Sequence, residues 1–242
     1  MNRLSSQLNQ RKPLLTSEQW ARLISDLVEE LRRALADLTT LSALMVEEAN
    51  RPGAVPDDRL AQSLNHRTRE LQVLIEDASQ FVRLTQGQVS YEVHTIPVDD
   101  LVGRLEIALR PTAWAREILI GTKTGKGLPE IMHTDVDILL RTITHLVDSV
   151  ACFSDREVSV WIGASGGRLL IRVKSDRGSE GLERMEALLR PVSGAASYRP
   201  RKSGARALAL LLSRELARSL GGDLAFIQGS PAAYELGIPL AA

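Results

Sequence analysis

The sequence predicts an α+β protein in two parts: an N-terminal antiparallel helical hairpin that dimerises into a four-helix bundle, then an α/β sandwich. Three observations carry this. Trp20, Ile24, Leu27, Leu31, Ala34, Leu38, Leu41 and Met45 recur at alternating spacings of four and three, a heptad seam free of Pro and Gly. After the breaker run Asn50-Arg51-Pro52-Gly53-Ala54-Val55-Pro56, a second seam runs Leu60, Leu64, Arg67, Leu71, Leu74, Ala78, Phe81, interrupted only by Arg67. Beyond residue 88 short alternating runs and helical stretches follow one another, with a Gly166-Gly167 turn between two of the runs.

The elements follow in order. Residues 1–16 read as a flexible leader and 17–88 as the dimerisation hairpin. Thr16 or Ser17 caps the first helix, which at about 30 residues is roughly 45 Å long. Ile75 and Val82 widen the apolar face of the second helix, so the hairpin carries more apolar surface than two helices bury alone. Packing on the rest of its own chain is the plainer alternative to a second copy. Gly87 suits a helix C-cap.

Residues 89–242 form the second part. Val89, Tyr91, Val93 and Thr95 alternate as a strand, and Pro97-Val98-Asp99-Asp100 starts a helix ending near Leu109. Ile118–Ile120 is a strand, 123–127 a loop, and Thr134 to about Phe153 a helix with Asp135 in its first turn. Strands at 158–162 and 169–173 flank the Gly-Gly turn. A short helix spans 182–189, a Pro- and Gly-bearing loop 190–202, and a last helix 205–220 stops at Gly221-Gly222. Strands at 224–227 and 234–238 close the chain.

Thirty basic and thirty acidic residues cancel, which argues against a general nucleic-acid binder. The single cysteine, Cys152, excludes an intramolecular disulfide and a multi-cysteine metal site. No apolar run reaches 18 residues, and 1–12 lack the apolar core of a signal peptide. No membrane partner and no metal site are expected, and the expected location is the cytoplasm.

The segment Leu74-Ile75-Glu76-Asp77-Ala78-Ser79-Gln80-Phe81-Val82-Arg83-Leu84-Thr85-Gln86-Gly87 resembles the LIEDLLDFSRLEAG stretch of sensor histidine kinases. Pro97-Val98-Asp99-Asp100-Leu101 matches the start of their next helix, and the element order matches over about residues 20–240. The resemblance implies a dimerisation and phosphoacceptor hairpin followed by the ATP-binding sandwich shared with gyrase, Hsp90 and MutL.

The family's chemical boxes are altered in this chain. The phosphoacceptor pattern H-E-L-R-x-P-L reads Glu29-Glu30-Leu31-Arg32-Arg33-Ala34-Leu35, with Glu29 at the histidine position and Arg33 where the phosphatase motif holds Thr or Asn. A carboxylate has no imidazole nitrogen to phosphorylate. The plain reading of 29–35 is a solvated helix face. His66, off the second seam, is the alternative acceptor or a solvated residue. The first nucleotide box, N-L-x-x-N-A, reads His145-Leu146-Val147-Asp148-Ser149-Val150, so Ser149 stands where the family's Mg²⁺ ligand is Asn, and Cys152 where a basic residue follows. Asp176-x-Gly178 keeps the start of the adenine-reading D-x-G-x-G, with Gly181 displaced by one residue. The phosphate-cradling G-x-G-L-G-L reads Gly204-Ala205-Arg206-Ala207-Leu208-Ala209 within 204–209, and the added methyl groups crowd a phosphate path.

The resemblance therefore implies a degenerate histidine-kinase-like protein with no assigned catalytic residue. Its nucleotide site is vestigial, made of His145, Asp148, Ser149, Asp176, Gly178, Gly181 and Gly204. No cofactor is expected, and any ATP–Mg²⁺ binding is expected to be weak. The implied partners are a second copy and a response-regulator receiver or a sensor kinase, docking at Glu29, Arg32 and Arg33. The rival is an active ATP-dependent histidine kinase or histidine phosphotransferase with divergent boxes. An anti-sigma-type serine kinase is disfavoured by the long hairpin.

Overall fold

The computed structural model describes residues 17–51, 58–86, 88, 90–177, 182–183, 186, 204–228 and 233–240. Outside them lie the leader, the breaker loop, Gly87, Val89, Gly178, Gly181, most of the 182–189 helix and the loop to Ser203. The side chains of 17–20, 22 and 204–207 are likewise outside the description. One compact unit contains the hairpin up to Arg83, and a second is built from Leu84–Arg190 with Ala209–Ala242.

The hairpin consists of α1 (Ser17–Ala49) and α2 (Asp58–Thr85). Burial follows the seams. Leu27, Leu31, Ala34, Leu38, Leu41 and Met45 are half-buried on α1, while Ile24 is exposed. On α2 Leu60, Leu64, Leu71 and Ala78 are half-buried, Leu74 and Phe81 buried, and the interrupting Arg67 exposed. Leu38, Ser42 and Val46 of α1 and Leu64 and Thr68 of α2 line one open groove of about 790 Å³. Ile75 and Val82, the widening residues, are half-exposed.

The second unit holds β1 (His94–Pro97), α3 (Val98–Arg116), β2 (Leu119–Thr124), β3 (Ile131–Thr134) and α4 (Val136–Ala151). Then come β4 (Glu157–Ser165), β5 (Arg168–Ser175), α5 (Gly204–Ser219), β6 (Asp223–Ile227) and β7 (Ala233–Pro239). The main sheet runs β2-β4-β5-β7-β6; only β2 and β4 pair in parallel. Gly166 and Gly167, at φ 58° and 71°, give the double left-handed turn that a two-residue hairpin requires. One sheet face is continuous core: Val158, Val160, Ile162, Leu169, Ile171, Val173, Leu224, Tyr234, Leu236 and Ile238 are all buried. α4 packs across β4 and β5, and α3 packs on α4 and β2. The Ser213 hydroxyl of α5 donates to the Thr142 carbonyl of α4 at 3.4 Å.

Four elements differ from the sequence expectation, one of them β2, which runs on through Lys123 and Thr124, expected in a loop, because it pairs in parallel with β4 as far as Ile162. The first strand lies at His94–Pro97 rather than Val89–Thr95, because it is fixed by antiparallel pairing with β3, not by alternation. β3 itself was unforeseen, being four residues long and continuous with the helix start. α3 runs past Leu109 and through Pro111 to Arg116. Pro111 costs an internal hydrogen bond, but buried Leu101, Leu105 and Leu109 hold the helix on course. Asp135 is the N-cap of α4, accepting from Ile138 N at 3.0 Å and also from Glu92 N at 2.8 Å.

Candidate functional site

The sequence places its site residues in two groups, one in each unit. On α1, helical spacing sets Glu29 beside Arg32 and Arg33. The Arg32 Nη1 lies 3.5 Å from Glu29 Oε2, and Arg33 Nε lies 3.8 Å from Oε1. All three side chains are exposed. Such surface pairs add little stability, so the triplet is a solvated carboxylate between two guanidinium groups, not an imidazole in an acidic setting. On α2 the exposed His66 Nε2 stands 3.4 Å from Glu70 Oε1, and Arg67 shares that carboxylate at 2.8 Å.

In the second unit α4 brings His145, Asp148 and Ser149 onto neighbouring turns. Ser149 is buried, and its hydroxyl donates back to the His145 carbonyl at 2.8 Å. The Asp148 carboxylate is taken by Arg116, whose Nε and Nη2 donate to one oxygen at 3.1 and 3.0 Å. The Cys152 thiol donates to the Asp148 carbonyl at 3.3 Å. Arg141 Nε donates to His145 Nε2 at 3.4 Å. Burial, with the Arg141 charge adding to it, pushes the His145 imidazole down to about 4, so it is neutral at pH 7.

Asp176 follows β5 and holds the start of β4. Its Oδ1 accepts from Asp155 N at 2.9 Å; its Oδ2 accepts from Arg156 N and Glu157 N at 2.8 and 3.1 Å. Desolvation works against the charge, but these amides and its own outweigh it and hold the carboxyl below the ordinary carboxylate range. Gly178 and Gly181 lie outside the described residues, and Gly204 opens α5.

Among the described residues, those at the Mg²⁺ position do not make the oxygen shell that this ion requires. That ion takes hard oxygens in a tight octahedron. Here Ser149 faces its own helix backbone and Asp148 answers Arg116. Among the described residues no group of three or more His, Cys, Asp or Glu could hold a metal ion.

Three polar links escaped the sequence. Besides Arg116–Asp148 and Arg141–His145, a buried cluster joins Glu186, Arg214 and Tyr234. Arg214 Nη2 donates to Glu186 Oε1 at 2.7 Å, and the Tyr234 hydroxyl donates to Oε2 at 3.4 Å. Burial and the Glu186 charge push the Tyr234 phenol far up. Partners 28 and 48 residues apart leave no spacing signal to read.

No family model matches the chain. It is 23% identical over 198 residues to the alginate biosynthesis sensor protein KinB of Pseudomonas aeruginosa, which covers 81% of this chain and 32% of KinB. The chain thus spans about a third of that relative's length. Among solved structures, the Acinetobacter baumannii histidine kinase AdeS superposes with a TM-score of 0.63 at 13% identity, over 88% of this chain and 98% of that one. The histidine kinase ThkA, solved with the response regulator protein TrrA, gives 0.63 at 14% identity, over 93% and 62%. ShkA gives 0.57 at 17% identity, over 88% and 46%. A helical hairpin followed by a mixed sheet under helices is common to this chain and these kinases: the chain has the fold of a sensor histidine kinase core.

Proposed function

We propose that this chain is a histidine-kinase-like signalling protein that has lost autokinase chemistry and acts as a dimer, binding a response-regulator receiver or a sensor kinase in a two-component relay. The observation that carries the reading is Glu29, a carboxylate paired with Arg32 and Arg33 where the resemblance places the phosphoacceptor. The same direction is supported on α4, where Ser149 and Asp148 are engaged by the protein itself. In this reading residues 17–88 are the dimerisation domain and 89–242 a sandwich kept for its shape, with ATP–Mg²⁺ bound weakly. Support for a receiver partner is that ThkA, of the same fold, was solved with a response regulator. Glu29, Arg32 and Arg33 form the docking face, which a dimer presents twice. Among the described residues no helix is long and apolar enough to cross a membrane.

A second reading keeps phosphotransfer and routes it through His66, which stands exposed beside the Glu70 carboxylate. Incubation with labelled ATP separates the two. No acid-labile phosphate on the chain is the expected result; label abolished by His66→Ala establishes the second reading instead. Binding to the host's receiver domains and kinases, followed by interferometry, tests the partner. Binding that survives Glu29→Ala and fails on charge reversal at Arg32 and Arg33 is expected. No partner among all of them removes the proposed function.

A further inference from the structure

Helix α3 carries apolar residues on the side opposite its core. Leu101, Leu105 and Leu109 are buried, yet Ile107 and Trp114 are 61% and 83% exposed. At 100° per residue Gly103, Ile107, Pro111 and Trp114 fall on one stripe facing away from those leucines, with Ile107 and Trp114 two turns, about 10 Å, apart. A single exposed apolar residue is ordinary; an exposed Trp in line with an Ile is a patch.

Gly103 is the second observation. Mid-helix glycine disfavours the helix relative to alanine. Nothing in the fold asks for it, since a Cβ at Gly103 would meet no atom within 4 Å. The gap leaves a notch one turn before Ile107, where another backbone can approach closely. The third observation is charge. Arg104 and Arg110 flank the stripe on either side of Ile107, both exposed, and neither makes an ion pair among the described residues.

We propose that this stripe is a docking surface for an acidic amphipathic helix of a partner protein. The partner's apolar side chains would pack on Ile107, Pro111 and Trp114, its backbone would close on Gly103, and its carboxylates would meet Arg104 and Arg110. A second copy is the poorer occupant. In a two-fold antiparallel pairing of the stripe each flank meets its own copy, so Arg104 would lie along the same edge as the other copy's Arg104, and Arg110 along the same edge as the other copy's Arg110, cation beside cation. An anionic bilayer is poorer too, because a helix lying on a membrane sinks a broad apolar face into it, and the broad apolar face of α3, Leu101, Leu105 and Leu109, is already in the core. The proposal is independent of the hairpin docking face.

The test places p-benzoylphenylalanine at position 114 of the full chain, expressed in its native host and irradiated, with the same group at the exposed Arg69 as control. The expected adduct is a protein segment with Asp or Glu beside apolar residues, mapped by mass spectrometry. Its yield should fall at least tenfold with Arg104→Glu/Arg110→Glu, and several-fold with Gly103→Ala, a change that leaves the chain folded by circular dichroism. The proposal is overturned by adducts only with lipid, with a second copy, or with segments lacking carboxylates. It is equally overturned by a yield no higher than at position 69, or by one indifferent to the charge reversal.

Discussion

Two residues show where single side chains decide the fold. Glu117 ends α3 in the left-handed region at φ 54°, its N–H reaching the Trp114 carbonyl, while Ile118 N reaches Ala113 O. A left-handed residue with a Cβ is disfavoured by about 1–2 kcal/mol, and glycine there returns about 0.4–1 kcal/mol to the unfolded chain's entropy. Glu117→Gly should therefore stabilise the protein by roughly 0.5–1 kcal/mol, read as a higher urea midpoint at unchanged slope; a lower midpoint contradicts the argument. Gly163 is the converse. The Trp161 indole lies over it, so an added Cβ would stand 2.3 Å from a ring carbon, and Gly125 is covered by the same ring. The ring is held there by Arg172, stacked 5.1 Å from its centroid and paired with Glu235, in a register row Lys123–Trp161–Arg172–Glu235. Gly163→Ala should cost about 1–3 kcal/mol by overpacking, and most of that should vanish on a Trp161→Ala background. Additive costs in the double mutant would mean that the ring is not the obstacle.

At the scale of elements, α4 ties the candidate-site residue His145 to stability. His145 is held neutral in the folded chain, with its imidazole lowered from 6.5 to about 4. The unfolded chain binds a proton below pH 6.5 that the folded chain refuses until about pH 4. Stability from this group is thus complete above 6.5 and is lost as pH falls toward 4, by an amount on the order of 3 kcal/mol. His145→Gln should flatten the fall in urea-derived stability across that window; an unchanged slope would show that His145 does not titrate this way. The elements also mark what the sequence disclosed. Both hairpin helices, the Gly166-Gly167 turn and α4 carry their signals locally, in spacing, in positive-φ glycines and in one apolar face. β3 and the position of β1 exist through their mutual pairing across 34 to 40 residues (for example His94 with Thr134), which no window of sequence contains. Of the candidate site, the residue types at 29, 145, 148, 149 and 176 were legible. The contacts of Arg32 and Arg33 with Glu29, of Arg141 with His145 and of the Ser149 hydroxyl with its own helix backbone follow helical spacing, whereas Arg116 on Asp148 and the 155–157 amides on Asp176, partners 19 to 32 residues away, are chosen by the fold and were not legible.

For the whole molecule the open question is how much apolar surface one copy can leave in water. On α1 Ile24, Val28, Leu35 and Val46 are 51%, 48%, 54% and 59% exposed, and on α2 Val73, Ile75 and Val82 are 53%, 50% and 45% exposed. Ile24 belongs to the α1 seam and the others lie beside seams in which, among the described side chains, only Leu74 and Phe81 are fully buried. A zero net charge adds no repulsion to keep copies apart. A second hairpin would convert both seams into the core of a four-helix bundle, where apolar burial at about 25 cal/mol per Å² drives association. The expected mass in solution is therefore twice the 26.6 kDa of one chain. Leu31→Asp should shift light scattering to the single-chain mass, since it sets an unpaired carboxylate among apolar groups. Arg32→Asp, one residue on but on the solvent side, should leave the dimer intact. A native chain that scatters as a monomer removes the bundle; a dimer that survives Leu31→Asp moves the contact off this seam.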